Sequence, residues 1–209
     1  MHIYAFGSIC RGDVTVDSDI DLLAIVEGRD ERFDTEVFSV YSYKRISELW
    51  KMGNAFAWHL HHESRLIYAA DGLDNLAQRG SPNPYNRAAV DCARFKRVFE
   101  NAYEALRSET VSTVFELSTV FLSIRNLATC YSLGVRGEAN FGRDAAVRLG
   151  QLSVPITTEA YGILRRARVL STRGLGSYVS PEQTKVVLKE GGVLSDWVTQ
   201  ISREAEQHG

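Results

Sequence analysis

Apolar positions along the chain follow two successive patterns. Up to about residue 70 they come in short runs of strand length. The run His2–Phe6 stops at Gly7-Ser8, residues 20–26 (IDLLAIV) follow a turn-forming stretch at 12–18, and residues 35–43 (TEVFSVYSY) are rich in β-branched and aromatic side chains. These runs predict three strands, with the third antiparallel to the second across the polar link at 27–33. Ile46, Leu49, Trp50 and Met52 predict a short helix, Asn54 can cap another that reaches about residue 63, and residues 65–69 predict a last strand.

Residues 71–84 (DGLDNLAQRGSPNP) contain two Gly, two Pro and several other turn formers, the sharpest change of composition in the chain. Beyond them the spacing becomes helical. Ala88, Cys92, Phe95, Phe99, Ala102, Tyr103 and Leu106 share one face over about five turns. Residues 110–133 are apolar around most of their circumference, as expected of a central bundle helix. A shorter helix is predicted near 140–149, another from Pro155 to about 172, and a last amphipathic one spaced by Val193, Trp197 and Ile201. The expected fold is α+β: a small mixed β-sheet head at 1–72, followed by an all-α helical bundle at 80–209.

Composition adds limits to this picture. With 209 residues, 44% hydrophobic and 24% charged, the chain is long enough to bury cores without disulfides, and no apolar run reaches membrane-span length. Cys10, Cys92 and Cys130 are too few and too widely spaced for a disulfide framework or a zinc ribbon. The start MHIYAFGS lacks the features of a secretory signal, so a cytoplasmic location is expected. The net charge of −2 is unevenly distributed, because residues 1–72 carry −5 and residues 73–209 carry +3. An acidic site able to hold cations beside a basic region suits a polyanion such as a nucleoside triphosphate.

The chemistry concentrates in FGSICRGDVTVDSDIDLLAI, residues 6–25. Asp19 and Asp21 stand two apart at the start of a strand, so their carboxylates project from the same face, where a hard divalent cation relieves their repulsion. Gly7 permits close backbone approach where the first strand ends, and Ser8 offers a hydroxyl and an N–H to a phosphate. Together these are the parts of metal-assisted phosphoryl transfer.

The spacing Phe6-Gly7-Ser8, ten residues, Asp19-Ile20-Asp21, with Arg11-Gly12 and Ser18, resembles the signature of the polymerase-β-like nucleotidyltransferase superfamily. The layout of head and bundle is similar to that of its minimal and kanamycin-nucleotidyltransferase-like members. The resemblance implies Asp19 and Asp21 as catalytic metal ligands, with Mg²⁺ (or Mn²⁺) as cofactor and a nucleoside triphosphate as substrate. It further implies that Gly7 and Ser8 hold the triphosphate, that Arg11 and Ser18 touch it, and that the site can be completed in a homodimer.

The resemblance also implies a third carboxylate on the next strand; Asp34 and Glu36 are the candidates, and Glu36, near the start of the 35–43 strand, is the better one. If the link is a tight hairpin, however, Glu36 falls opposite Ala24, roughly 10 Å from Asp21, and shares a metal only through a bulge. In the helical region Arg125-Asn126 resembles the Arg-Asn of kanamycin nucleotidyltransferase, but Thr119 stands where that enzyme has its general-base glutamate, and Glu116 is almost a turn earlier. A drug-modifying activity therefore does not follow. A ribonuclease motif fails because positions 130–132 are Cys, Tyr and Ser. His59, His61 and His62 lack the spacing of a zinc enzyme and read as structural, while Arg165, Arg166, Arg168 and Arg173 form the densest basic cluster. The expected activity is nucleotidyl transfer to an acceptor hydroxyl on a small molecule, a protein or RNA. The alternative is an antitoxin-like module of the same fold that has lost turnover and acts through a partner.

Overall fold

The computed structural model describes residues 1–13, 20–28, 30–108 and 112–208. The chain divides into two compact units, Met1–Asn86 and Arg87–Gly209. Among the described residues, no helix is long and apolar enough to cross a membrane.

The first unit is built on a four-stranded sheet. Its strands are β1 (His2–Phe6), β2 (Asp21–Val26), β3 (Phe38–Ser42) and β4 (Ser64–Ala69), in the order β3-β2-β1-β4. β1 is antiparallel to both β2 and β4, whereas β2 and β3 run parallel, with Leu22 opposite Phe38 and Ala24 opposite Val40. This corrects the hairpin expected between the second and third strands. The link is long enough to travel back along the roughly 20 Å of a six-residue strand, and it is folded into successive turns. Asp30 accepts from Arg32, whose hydrogen bonds hold that carboxyl down to about 2. Asp34 accepts from the backbone N–H of Glu36 through its side chain and from those of Val37 and Phe38 through its carbonyl. The strand therefore begins at Phe38 rather than at residue 35, and Glu36 lies in the turn before it.

One face of the sheet carries the core. Tyr4, Phe6, Leu23 and Ile25 pack against Ile46, Leu49 and Trp50 of α2 (Tyr43–Lys51) and against Ala57 and Leu60 of α3 (Ala55–Glu63). Before these two helices comes a single helical turn, α1 (Ser8–Arg11). Asn54 caps α3 as expected, its side chain accepting the Phe56 N–H at 2.9 Å. The turn-rich stretch after β4 packs onto this unit: it forms α4 (Asn75–Gln78), buries Leu76 in the core, and receives the Trp50 indole on the Gly80 carbonyl at 3.0 Å.

The second unit is helical: α5 (Ala88–Arg107), α6 (Thr113–Gly134), α7 (Thr158–Arg173), α8 (Pro181–Lys189) and α9 (Gly191–His208). α6 packs against α5, α7 and α9, which accounts for its nearly all-round apolar surface. Residues 109–111, where that helix was expected to start, lie outside the described residues. The helix expected near 140–149 is replaced by two 3₁₀ turns, Ala145–Val147 and Gly150–Leu152. The helix expected from Pro155 starts at Thr158 instead, because Thr157 supplies the N-cap to Ala160 N–H. α8 was not foreseen: its apolar residues run together at 186–188 rather than at helical spacing, and a Ser180–Gln183 capping box sets its start.

Candidate active site

The site is assembled where β1 ends and β2 begins. Their antiparallel register sets Phe6 opposite Asp21, so the next residue, Gly7, meets the Asp21 carboxylate. Gly7 has φ +77° and ψ −138°, and a Cβ built on it would lie 2.7 Å from Asp21 Oδ2. Both the backbone angles and the lack of space require glycine there. Ser8 follows as the buried first residue of α1, which closes at Gly12 with φ +78°.

Parallel pairing of β2 and β3 brings the turn before β3 to the same end of the sheet. A cavity of about 370 Å³ is lined there by Asp21, Glu36, Thr35 and Ser39 among its polar residues, with the exposed Ile20 and Val37 at its rim. The position expected for Glu36 opposite Ala24 is thus corrected, because Val40 takes that place and Glu36 lines a cavity with Asp21. These donors are carboxylate and hydroxyl oxygens, the set preferred by Mg²⁺ or Mn²⁺ and a poor one for softer metals. Asp19 and Ser18 lie outside the described residues. Among the described residues no group of three His, Cys, Asp or Glu forms a metal cluster.

Arg11, which the resemblance assigned to phosphate, is engaged with carboxylates. Its Nε donates to Asp13 Oδ2 at 3.0 Å and its Nη1 to Glu63 Oε2. Burial works against the guanidinium charge, but the two carboxylates outweigh it and raise the pKa above its ordinary value. Glu63 is itself buried at the end of α3, with His59 Nε2 at 2.9 Å from the same oxygen. Sequence reasoning passed over Glu63. The available signal was the His59–Glu63 spacing of four, which puts both side chains on one helix face.

Among the other candidates, His61, His62, Arg166 and Arg168 have side-chain partners. His61 Nε2 is 3.3 Å from Ser81 Oγ, and the His62 ring stacks on Trp58 at 5.6 Å. In the second unit Arg166 donates to Gln183 Oε1 at 2.7 Å, Arg168 reaches Ser118 Oγ at 3.5 Å, and Glu116 sits in the first turn of α6.

Residues 2–71 match the family described as nucleotidyltransferase domain. No curated protein and no solved structure matches the chain.

Proposed function

Because residues 2–71 are a nucleotidyltransferase domain of the polymerase-β-like superfamily, we propose that this chain transfers a nucleoside monophosphate from a metal-bound nucleoside triphosphate to an acceptor hydroxyl. The observation that carries the proposal is the cavity that Asp21 and Glu36 both line, together with the close approach of the Asp21 carboxylate to Gly7. Asp21, with Asp19, would hold Mg²⁺. When bound, the metal supplies charge neutralisation for the triphosphate and polarises the reacting oxygens.

The chain's own groups do the rest. Gly7, whose missing side chain lets the Asp21 carboxylate stand against the turn, and Ser8, with its hydroxyl and N–H, present that turn to the phosphate oxygens. Glu36 takes the proton of the acceptor hydroxyl as that oxygen bonds to the α-phosphorus. The bond from the α-phosphorus to the bridging oxygen breaks, and pyrophosphate leaves with the electron pair. General-base assistance of this kind contributes roughly 10²- to 10⁴-fold, so Glu36→Gln should lower turnover by that order while leaving nucleotide binding nearly intact. A second carboxylate residue, Glu36, among those that line the cavity with Asp21 supports the enzyme over the alternative module without turnover.

The test is thermal stabilisation by each of the four nucleoside triphosphates, with and without Mg²⁺, on the wild type and on a double Asp19→Asn, Asp21→Asn variant. At a ligand concentration of 100 Kd the expected stabilisation is about 2.7 kcal/mol. It should depend on metal and vanish in the variant. No shift with any nucleotide would contradict the proposal.

A further inference from the structure

We propose that Glu63 is a positioning residue for the turn at residues 7–11, holding both of its ends and so setting the distance between Gly7-Ser8 and the Asp21 carboxylate. The role assigned to that turn rests on the reading of Gly7 and Ser8 as the triphosphate cradle. The clamp itself stands on geometry alone.

One residue holds both ends. At the near end, the Glu63 backbone carbonyl accepts the Gly7 N–H at 3.0 Å. At the far end, the Glu63 carboxylate takes Arg11 Nη1, while Arg11 Nε is held by Asp13 Oδ2 at 3.0 Å. His59 Nε2, one turn earlier on α3, lies 2.9 Å from the same carboxylate oxygen. Between these anchors lies a single turn of helix, supported by backbone bonds such as Cys10 N–H to the Gly7 carbonyl at 3.0 Å and Asp13 N–H to the Ser8 carbonyl at 3.1 Å. A helix this short does not sustain itself, because nucleation is unfavourable and there is no length over which to recover it.

Glu63 and Arg11 have side chains only 10% and 20% exposed. Burying such a pair gains little stability, since desolvation offsets the attraction. What the pair does provide is geometry, because the planar guanidinium donates to a carboxylate in few orientations. Geometry matters here because the Asp21 carboxylate lies so close to the turn that it leaves no room for a Cβ on Gly7. A displacement on the order of 1 Å at a reacting centre can cost about 10²-fold in rate. Arg11 then acts on nucleotide through the cradle it holds and is not itself a phosphate ligand.

The experiment compares the wild type with Glu63→Gln, Arg11→Gln, the double variant and Arg11→Lys in the full chain. Two quantities are measured: amide hydrogen exchange over residues 6–13 and the dissociation constant for Mg²⁺-nucleoside triphosphate. Both single variants should speed exchange in that segment alone. Each should weaken nucleotide binding by about tenfold. The double variant should be no worse than either single one, because each breaks the same link. Arg11→Lys, which keeps the charge without the fork, should recover part of the affinity. Unchanged exchange in Glu63→Gln overturns the clamp. Losses that add, or a loss confined to the Arg11 variants, overturn the positioning role and make Arg11 a direct phosphate contact. A wild type that binds no nucleotide refutes the proposed function, while the exchange data still decide the clamp. Should Glu63→Gln fail to fold, Arg11→Gln carries the exchange measurement.

Discussion

Gly7 and Asp21 meet with no room for a side chain between them, and this contact is the most demanding local feature of the head. Gly7→Ala places a methyl group 2.7 Å from the Asp21 oxygen and at a φ that other residues avoid. We expect it to lower stability by about 1–3 kcal/mol in urea unfolding and to abolish metal-dependent nucleotide binding. The meeting of Gly7 and Asp21 follows from two adjacent strands, one ending and the other beginning at the same place in the sheet. The neighbourhood of Glu36 was not legible. It depends on whether the third strand runs with or against the second, and alternating apolar residues read the same in both directions. Glu63 was hidden for a different reason: its partner Arg11 is distant in sequence, and a helix-ending Glu usually faces solvent.

Capping residues and turns fix the elements, and of the caps the one at Asn54 was readable in the sequence. Asn54 holds the start of α3, the helix that delivers Leu60 to the core and His59 and Glu63 to the site. Asn54→Ala should cost about 1 kcal/mol in chemical unfolding, as loss of an N-cap generally does. It should also raise hydrogen exchange in the first turn of α3. A variant that unfolds at the wild-type midpoint would show that packing alone sets this helix. The parallel β2–β3 pair escaped prediction because the link holds two compact turns, at 30–33 and 34–38, that sequence alone does not distinguish from a loose hairpin. α8 escaped because three consecutive apolar residues carry no helical period.

At the scale of the whole molecule, each unit has its own core, and both bury groups that must stay protonated. Tyr4 in the first unit, and Cys92 and Tyr161 in the second, have pKa values pushed up chiefly by burial, with Asp74, Cys130 and Asp144 respectively adding to the shift. In the unfolded chain they ionise near their ordinary values, about 8.5 for a thiol and about 10 for a phenol. Raised folded values mean that their contribution is complete below those pH values and is lost as pH rises past them. The melting temperature should therefore fall steeply above about pH 9, and a flat alkaline profile to pH 11 would contradict this. The two-part plan was readable from the switch between strand-length runs and helical spacing, and α6 from its all-round apolar character. The central claim is that the Asp21 carboxylate, beside Gly7 and in one cavity with Glu36, belongs to a metal-nucleotide site. Electron paramagnetic resonance of Mn²⁺ titrated into the protein with nucleoside triphosphate tests it most directly. The account predicts nucleotide-dependent Mn²⁺ binding by the wild type and its loss in Asp21→Asn; equal Mn²⁺ binding by the two proteins would contradict it.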